Sequence, residues 1–225
     1  MRIDMWVDLG CPWSHLGFRH LRTALTQVDF GGEAEVLVHP YFLEPDLDRT
    51  LKEPWIQHLM DSEGMELEQA LAHTTRLSDL GAAEGIRYDF ARLVVAPTVS
   101  AHRTIAAARD LDMEGEATEG ADTHVLRLTD ALFRARFEMG LDLSDPDVLV
   151  GCAQDVGIDA EHVIPALGDE ARASQVWSDF QMAMHMGVDA VPTLLLDDTF
   201  VVQGMQPTTA LVNALTTAHA ESRRN

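Results

Sequence analysis

The stretch that decides the fold is RIDMWVDLGCPWSHLG, residues 2–17. Apolar side chains alternate with largely polar ones up to Leu9, and this period of two is typical of a β-strand. The alternation stops at Gly10, and Cys11 stands directly before Pro12. Proline is favoured in the first turn of a helix, where its missing N–H group leaves no donor unpaired. The stretch therefore predicts a strand, a tight turn and a helix with a thiol at its N-terminus.

Cys11 is the first candidate for a reactive group. Unpaired N–H groups and the helix dipole favour an anion at the N-terminus of a helix. The pKa of Cys11 is therefore expected to lie below that of a free thiol. The alternative is a small buried side chain without chemistry, as many cysteines are.

The composition indicates a globular protein with an acidic surface. The chain has 225 residues, 46% of them hydrophobic, which is enough for one large domain or a domain with an insertion. Its 37 acidic and 16 basic residues give a net charge of −21. Such a surface repels nucleic-acid phosphates and anionic lipids, so we expect neither nucleic acid nor membrane among the partners.

The cellular compartment is predicted from three features of the sequence. The chain has no run of about 18 or more apolar residues that would span a membrane. Its N-terminus has no basic segment followed by an apolar one, as a secretory signal would. With only Cys11 and Cys152, a disulfide framework is not expected. These features favour the reducing cytoplasm.

Strand and helix patterns divide the chain into three parts. Residues 34–42 alternate and predict a second strand, parallel to the first. From about residue 43 to 186 the pattern is helical. Helices are expected near residues 52–62, 66–84, 98–110, 120–139, 145–156, 159–167 and 170–186. Residues 193–196 and 200–203 then predict a β-hairpin, and Pro207 begins a last helix.

The order of these elements predicts an α/β thioredoxin-like fold, β-α-β and β-β-α, with a large all-helical insertion. The thioredoxin-like domain is expected to comprise residues 1–43 and 187–225, with helix 170–186 packing on it. Residues 44–169 are expected to form the inserted helical domain.

The segment GVDAVPT, residues 187–193, is the second anchor of the predicted site. A residue before proline avoids helical backbone, and proline is where cis peptide bonds occur, so Val191–Pro192 is a candidate cis bond. In a thioredoxin fold this loop lies against the Cys-Pro turn, which leaves the backbone of Val191 free to pair with an extended substrate. We therefore expect Val191 and Pro192 to bind substrate.

Five short blocks of sequence point to one family. In chain order they are Asp8–Gly17, Pro97–Arg103, Phe137–Asp145, Gly187–Thr193 and Gly204–Pro207. With these blocks the chain resembles the DsbA-like thioredoxin family over nearly its whole length, and within it the cytoplasmic FrnE-type branch. The resemblance implies a thiol-disulfide oxidoreductase without a bound cofactor, with Cys11 as its catalytic thiol and a small-molecule or protein thiol as its substrate.

One departure from the family motif, Cys-x-x-Cys, bears on the mechanism, because the fourth position here is Ser14. The first thiolate of a dithiol pair attacks a disulfide, and the second releases the mixed disulfide. Ser14 cannot perform that release, but it can donate a hydrogen bond to the Cys11 thiolate. We therefore expect an external thiol such as glutathione as co-substrate; the alternative is that dithiol chemistry is lost. Cys152, among apolar neighbours, is expected to be inert.

The remaining candidates flank the thiol or share its cleft. Pro12 and Trp13 are expected to bind substrate, with Trp13 presenting an apolar surface. The resemblance implies that His102 lines the cleft over Cys11; the alternative is a histidine satisfied by hydrogen bonds. No set of histidines and carboxylates has the spacing of metal ligands, so no metal is expected. A monomer and a homodimer both remain open.

Two other functions are compatible with the same residues. The first is a glutathione-dependent enzyme of the kappa-class transferase or hydroxychromene-carboxylate isomerase type, in which a serine near this turn activates glutathione. Ser14 favours that function and Cys11 argues against it. The second is a chaperone-like binder that keeps the peptide groove without redox activity.

Overall fold

A four-stranded sheet lies at the centre of the molecule. The computed structural model describes residues 1–116 and 122–224. The strands of this part are β1 (Arg2–Val7), β2 (Glu35–Pro40), β3 (Thr193–Leu196) and β4 (Phe200–Gln203). Their order is β2-β1-β3-β4, with β1 and β2 parallel and the other two pairs antiparallel. This is the α/β thioredoxin-like arrangement predicted from the two ends of the chain.

The register of β1 determines where the two sequence anchors lie. Val7 pairs with Pro40 of β2, and Trp6 pairs with Thr193, the first residue of β3. The chain leaves β1 at the point where β3 begins. The turn that contains Cys11 and the loop that precedes Thr193 therefore lie side by side at this edge of the sheet.

Helices make up most of the remaining described chain. They are α1 (Pro12–Leu25), α2 (Trp55–Glu63), α3 (Leu67–Ala83), α4 (Val99–Leu111), α5 (His124–Phe137), α6 (Pro146–Asp155), α7 (Ala160–Gly168), α8 (Glu170–His185) and α9 (Thr208–Ser222). A 3-10 turn precedes β2, and a π-type turn follows α4. The predicted start of a helix at residue 120 lies outside the described residues. The start of α6 is the one expected, because Asp145 caps it and Pro146 is its first residue.

The observed end of α1 differs from the prediction. The Gly31–Gly32 pair is a typical signal for the end of a helix and predicts an end there, but the helix ends at Leu25. A Cβ atom on Gly31 would lie 1.8 Å from the carbonyl oxygen of Leu25. Glycine is therefore required there because the backbone passes close to the end of α1, and not because it caps the helix. A proline in a helical pattern predicts an interruption, but Pro165 lies inside α7.

The main hydrophobic core lies between the sheet and the helices around it. Fully buried side chains from β1, α1, α5 and α6, among them Ile3, Phe18, Phe133 and Leu149, belong to one continuous cluster. Burial of this apolar surface is the main term that stabilises the fold. Across the described residues, none of the helices has the length and apolar character needed to cross a membrane.

A second, smaller apolar cluster surrounds the thiol. It joins Cys11 to Trp6 at the end of β1, to Phe42 after β2, to Phe180 of α8 and to Val191. Residues far apart in the sequence thus close over the N-terminus of α1. This cluster determines how deeply Cys11 is buried.

Candidate functional site

Cys11 lies at the N-terminus of α1, as the sequence predicts. It is the N-cap residue, with extended backbone, and Pro12 is the first residue of the helix. The amide of Ser14 donates to the carbonyl oxygen of Cys11 over 3.1 Å. The side chain is only 5% exposed. The strand, turn and helix expected for residues 2–17 are all present.

The Val191–Pro192 loop lies directly against this turn. The Cys11 sulfur is 4.0 Å from the carbonyl oxygen of Val191, and the Val191–Pro192 peptide bond is cis. On the other side, α1 approaches the proline so closely that a Cβ atom on Gly17 would lie 2.5 Å from Cγ of Pro192. Glycine at position 17 therefore allows the helix and the loop to meet.

The protonation state of Cys11 differs from the prediction. Burial raises the pKa of Cys11 to about 11, and the charge of Asp8 adds to this, while hydrogen bonds from Ser14 and Trp13 act in the opposite direction. The expected lowering of the pKa is therefore wrong for the free protein. The second apolar cluster removes more hydration from the thiolate than the helix N-terminus replaces.

Ser14 lies beside the thiol but is not part of the cavity wall. It is fully buried, and its Oγ has no hydrogen-bond partner among the described residues. The hydroxyl is nevertheless close enough to lower the pKa of Cys11. A hydroxyl without another partner is free to turn its proton towards a thiolate when one forms. Ser14 can therefore stabilise the reactive form of Cys11.

Asp8 organises the loop that carries the thiol. Its carboxylate accepts hydrogen bonds from the amides of Gly10 (2.7 Å) and Leu43 (2.8 Å) and from Oγ1 of Thr98 (3.1 Å). Burial raises the pKa of Asp8. Asp8 was not predicted as a site residue, although an aspartate two positions before a glycine is a common signal of such a turn.

A cavity of about 390 Å³ opens beside Cys11. Cys11, Pro12 and Trp13 form one side of its wall, and Trp55 and His58 of α2 form another. The rings of His73 and Trp13 meet edge to face, with 5.5 Å between their centroids. Pro12 and Trp13, the two residues beside the thiol that are predicted to bind substrate, both lie in the wall of this cavity.

The structure places His102 away from this cavity. It is buried behind Phe42, with 5.4 Å between ring centroids, and its Nε2 has no hydrogen-bond partner. Burial lowers its pKa to about 3. His102 is therefore not among the residues that line the cavity beside Cys11. The alternative, a histidine whose ring nitrogens both form hydrogen bonds, does not hold for Nε2 either. His15 is similarly buried and stacks on Phe133 at 5.0 Å.

Cys152 is enclosed in the main core. It lies in α6, 7% exposed, with its sulfur 4.0 Å from the carbonyl oxygen of Ala131. Both cysteines are free, and they belong to different apolar clusters. Burial raises the pKa of Cys152 to about 11 as well. The two side chains are similarly buried, but Cys11 lies in the wall of the cavity of about 390 Å³ and Cys152 is not among the residues that line it.

Two polar side chains near the thiol were not predicted from the sequence. Tyr88 donates from its hydroxyl to the carbonyl oxygen of Pro12 over 2.8 Å, and Arg136 of α5 lines the cavity. In the sequence, Arg136 can be recognised as a charged residue on an otherwise apolar helix face, between Phe133 and Phe137. In the chain as described, no cluster of three or more metal-ligating side chains is present.

Comparisons with known proteins agree with this geometry. The model of the DSBA-like thioredoxin domain matches residues 2–216. A solved structure of a probable DsbA oxidoreductase from Streptomyces coelicolor is 30% identical, with a TM-score of 0.84, over 98% of this chain and 91% of that one. Among curated proteins, no sequence matches significantly.

Two more distant solved structures share the fold. A 2-hydroxychromene-2-carboxylate isomerase is 14% identical, with a TM-score of 0.64, over 100% of this chain and 98% of that one. The cytosolic disulfide reductase DsbM from Pseudomonas aeruginosa is 16% identical, with a TM-score of 0.59 and the same coverage. The match of the family model over nearly the whole length decides the assignment: the chain belongs to the DSBA-like thioredoxin domain family.

Proposed function

We propose that the protein is a thiol-disulfide oxidoreductase that works with a single catalytic cysteine, Cys11. The observation that carries this proposal is the position of Cys11, at a helix N-terminus, on a cavity wall and beside Val191. Ser14 occupies the place of a resolving thiol, and Cys152 is enclosed in a different cluster. Release of Cys11 therefore requires a thiol from outside the chain.

The reaction consists of three exchange steps, of which the first two involve Cys11. The Cys11 thiolate attacks a disulfide RSSR, forming a Cys11–SR mixed disulfide and expelling RS⁻, which takes up a proton. A glutathione thiolate then attacks the sulfur of R, restores the Cys11 thiolate and leaves the mixed disulfide of glutathione and R. A second glutathione converts that product into RSH and oxidised glutathione, so glutathione supplies both electrons.

The raised pKa of Cys11 limits the rate of the first step. With a pKa of about 11, roughly one molecule in 10⁴ carries the thiolate at pH 7. The rate constant for attack should therefore rise about tenfold per pH unit through the neutral and mildly alkaline range. Ser14 partly offsets this limit by donating to the thiolate.

A turnover assay tests the proposed function. We expect the protein to accelerate the reduction of a glutathionylated peptide by reduced glutathione, with a rate that increases with pH. Cys11→Ala should abolish the acceleration, because the other cysteine, Cys152, does not line this cavity. Cys152→Ala is the matched control and should retain it. Activity that survives Cys11→Ala, or disappears in Cys152→Ala, would contradict the proposal.

The branch and the compartment are part of the same proposal. We place the protein in the FrnE-type branch and in the cytoplasm. Two free cysteines in 225 residues support a reducing compartment. A cytosolic disulfide reductase has the same fold and was also solved with GSH. Glutathione is therefore the first co-substrate to test.

A glutathione-dependent isomerase or transferase is the second candidate function. The unpartnered, buried Oγ of Ser14 favours it, and a hydroxychromene-carboxylate isomerase shares the fold. Ser14 is not part of the cavity wall, however, whereas Cys11 is. In such an enzyme Ser14→Ala should abolish activity and Cys11→Ala should not, which is the reverse of the pattern expected here.

A further inference from the structure

Arg136 is a buried cation, and two of its three guanidinium nitrogens have no hydrogen-bond partner among the described residues. It lies in the last turn of α5, is 2% exposed, and forms part of the wall of the cavity beside Cys11. Its Nε and Nη1 atoms are both buried without an acceptor. The ring of Phe137 lies 5.6 Å from the guanidinium carbon. A buried N–H donor without an acceptor is destabilising, so this arrangement requires an explanation.

The carboxylates whose charges influence Arg136 do not accept hydrogen bonds from it. The negative charges of Asp8, Asp142 and Glu44 all raise the pKa of Arg136, but each of these carboxylates interacts with other side chains or amides. Asp8 accepts three hydrogen bonds from the loop, and Asp142 accepts from Thr50 and Ser144. Glu44 pairs with His58 over 2.8 Å. Within the described residues, no carboxylate oxygen lies within ion-pair distance of Arg136.

The chemistry of the guanidinium identifies the kind of ligand that it can bind. Burial lowers the pKa of Arg136, but an arginine remains protonated at neutral pH. A buried charge of this kind is stabilised by an anion, and its planar set of donors matches the two oxygens of a carboxylate. The cavity of about 390 Å³ is within the size range of small-molecule sites.

We propose that Arg136 binds a carboxylate of the thiol substrate, so that this cavity accepts an acidic low-molecular-weight thiol whose sulfur lies at Cys11. This inference rests on the proposed function, and it specifies the class of co-substrate. The net charge of −21 repels anions over most of the surface. One unpaired guanidinium inside the cavity gives an acidic thiol a local attraction that a neutral thiol lacks.

Binding of an unreactive analogue tests this inference separately from catalysis. S-methylglutathione has both carboxylates of glutathione but no free thiol, and its diethyl ester has neither carboxylate. We expect isothermal titration calorimetry to show that the ester binds the wild-type protein about 10- to 100-fold more weakly, as the loss of a charged hydrogen-bonded pair implies.

Two variants of α5 provide the matched comparison. Arg136→Gln should bind S-methylglutathione about 10- to 100-fold more weakly than the wild type and should no longer distinguish it from the ester. Arg134→Gln removes a half-exposed arginine of the same helix, which pairs with Glu138 over 3.6 Å, and should behave like the wild type. Circular dichroism of each variant shows whether it is folded.

Two results would overturn the inference: equal affinities of the acid and the ester for the wild-type protein, or no binding of S-methylglutathione at all. Because both are measured on the wild-type protein, either result overturns the inference even if Arg136→Gln fails to fold. Selective binding of the acid in a protein without turnover would contradict the proposed function and leave the role of Arg136 in place. Turnover with equal binding of the acid and the ester would contradict the role of Arg136 and leave the proposed function in place.

Discussion

A Ser14→Cys variant is expected to catalyse the reduction of insulin disulfides by dithiothreitol much faster than the parent protein, in which release of Cys11 depends on an external thiol. The new thiol would lie three residues from Cys11 across the first turn of α1, the spacing of a Cys-x-x-Cys pair. It turns release of the mixed disulfide into an intramolecular step. Well-oriented groups reach effective concentrations of about 10⁵ M or more, so we expect at least about a 100-fold faster release.

The fold should accept this change at a small energetic cost. Ser14 is fully buried, and replacing its oxygen with sulfur in a packed site should cost about 1–2 kcal/mol. The double variant Cys11→Ala, Ser14→Cys is the control and should be inactive, because the attacking thiol is absent. If the single variant folds but its two thiols stay unpaired in oxidised glutathione, the turn is not a redox turn. Ser14 would then be a glutathione-activating or purely structural hydroxyl.

Acid should destabilise the protein through two buried histidines. Burial lowers the pKa of His15 and of His102 to about 3 each, whereas an unfolded histidine titrates near 6.5. As the pH falls below about 6.5, the unfolded chain takes up these two protons and the folded chain does not. Each histidine should lower the free energy of unfolding by about 2 kcal/mol between pH 6.5 and 4.5.

Urea unfolding at both pH values measures this effect. His15→Leu and His102→Leu should each reduce the difference between the two free energies of unfolding by about 2 kcal/mol. His162→Gln, at an exposed position, should leave the difference unchanged. Hydrogen bonds to two carboxylates raise the pKa of His58 although burial opposes them, and this contribution is common to all the variants. Equal differences in every variant would show that the two buried histidines do not control acid stability.

The fold was predictable because its signals are local. The alternation in residues 2–7 and the hairpin of residues 193–203 each specify a strand within one short window. Two parallel strands joined by one helix then leave little choice of topology. The end of α1 was not predictable, because Gly31 is required by contact with Leu25 and not by the conformation of its own turn.

The chemistry of the site was only partly predictable. The position of Cys11 follows from its own neighbours in the sequence, and the structure places the Val191–Pro192 loop beside it as expected. The pKa of Cys11 does not follow from them, because Phe42 and Phe180, which help to bury it, are distant in sequence. Arg136 was missed for a similar reason, since only the folded chain shows that α5 contributes to the wall beside the thiol.

The most direct test of a single catalytic thiol is the mass of the intact protein after incubation with oxidised glutathione. We expect one glutathionyl group per chain, mapped to Cys11 by peptide mass spectrometry and removed by reduced glutathione. Formation should be faster at pH 9 than at pH 7, because the thiolate attacks. A chain without an adduct, an adduct on Cys152, or a disulfide between Cys11 and Cys152 would contradict this expectation.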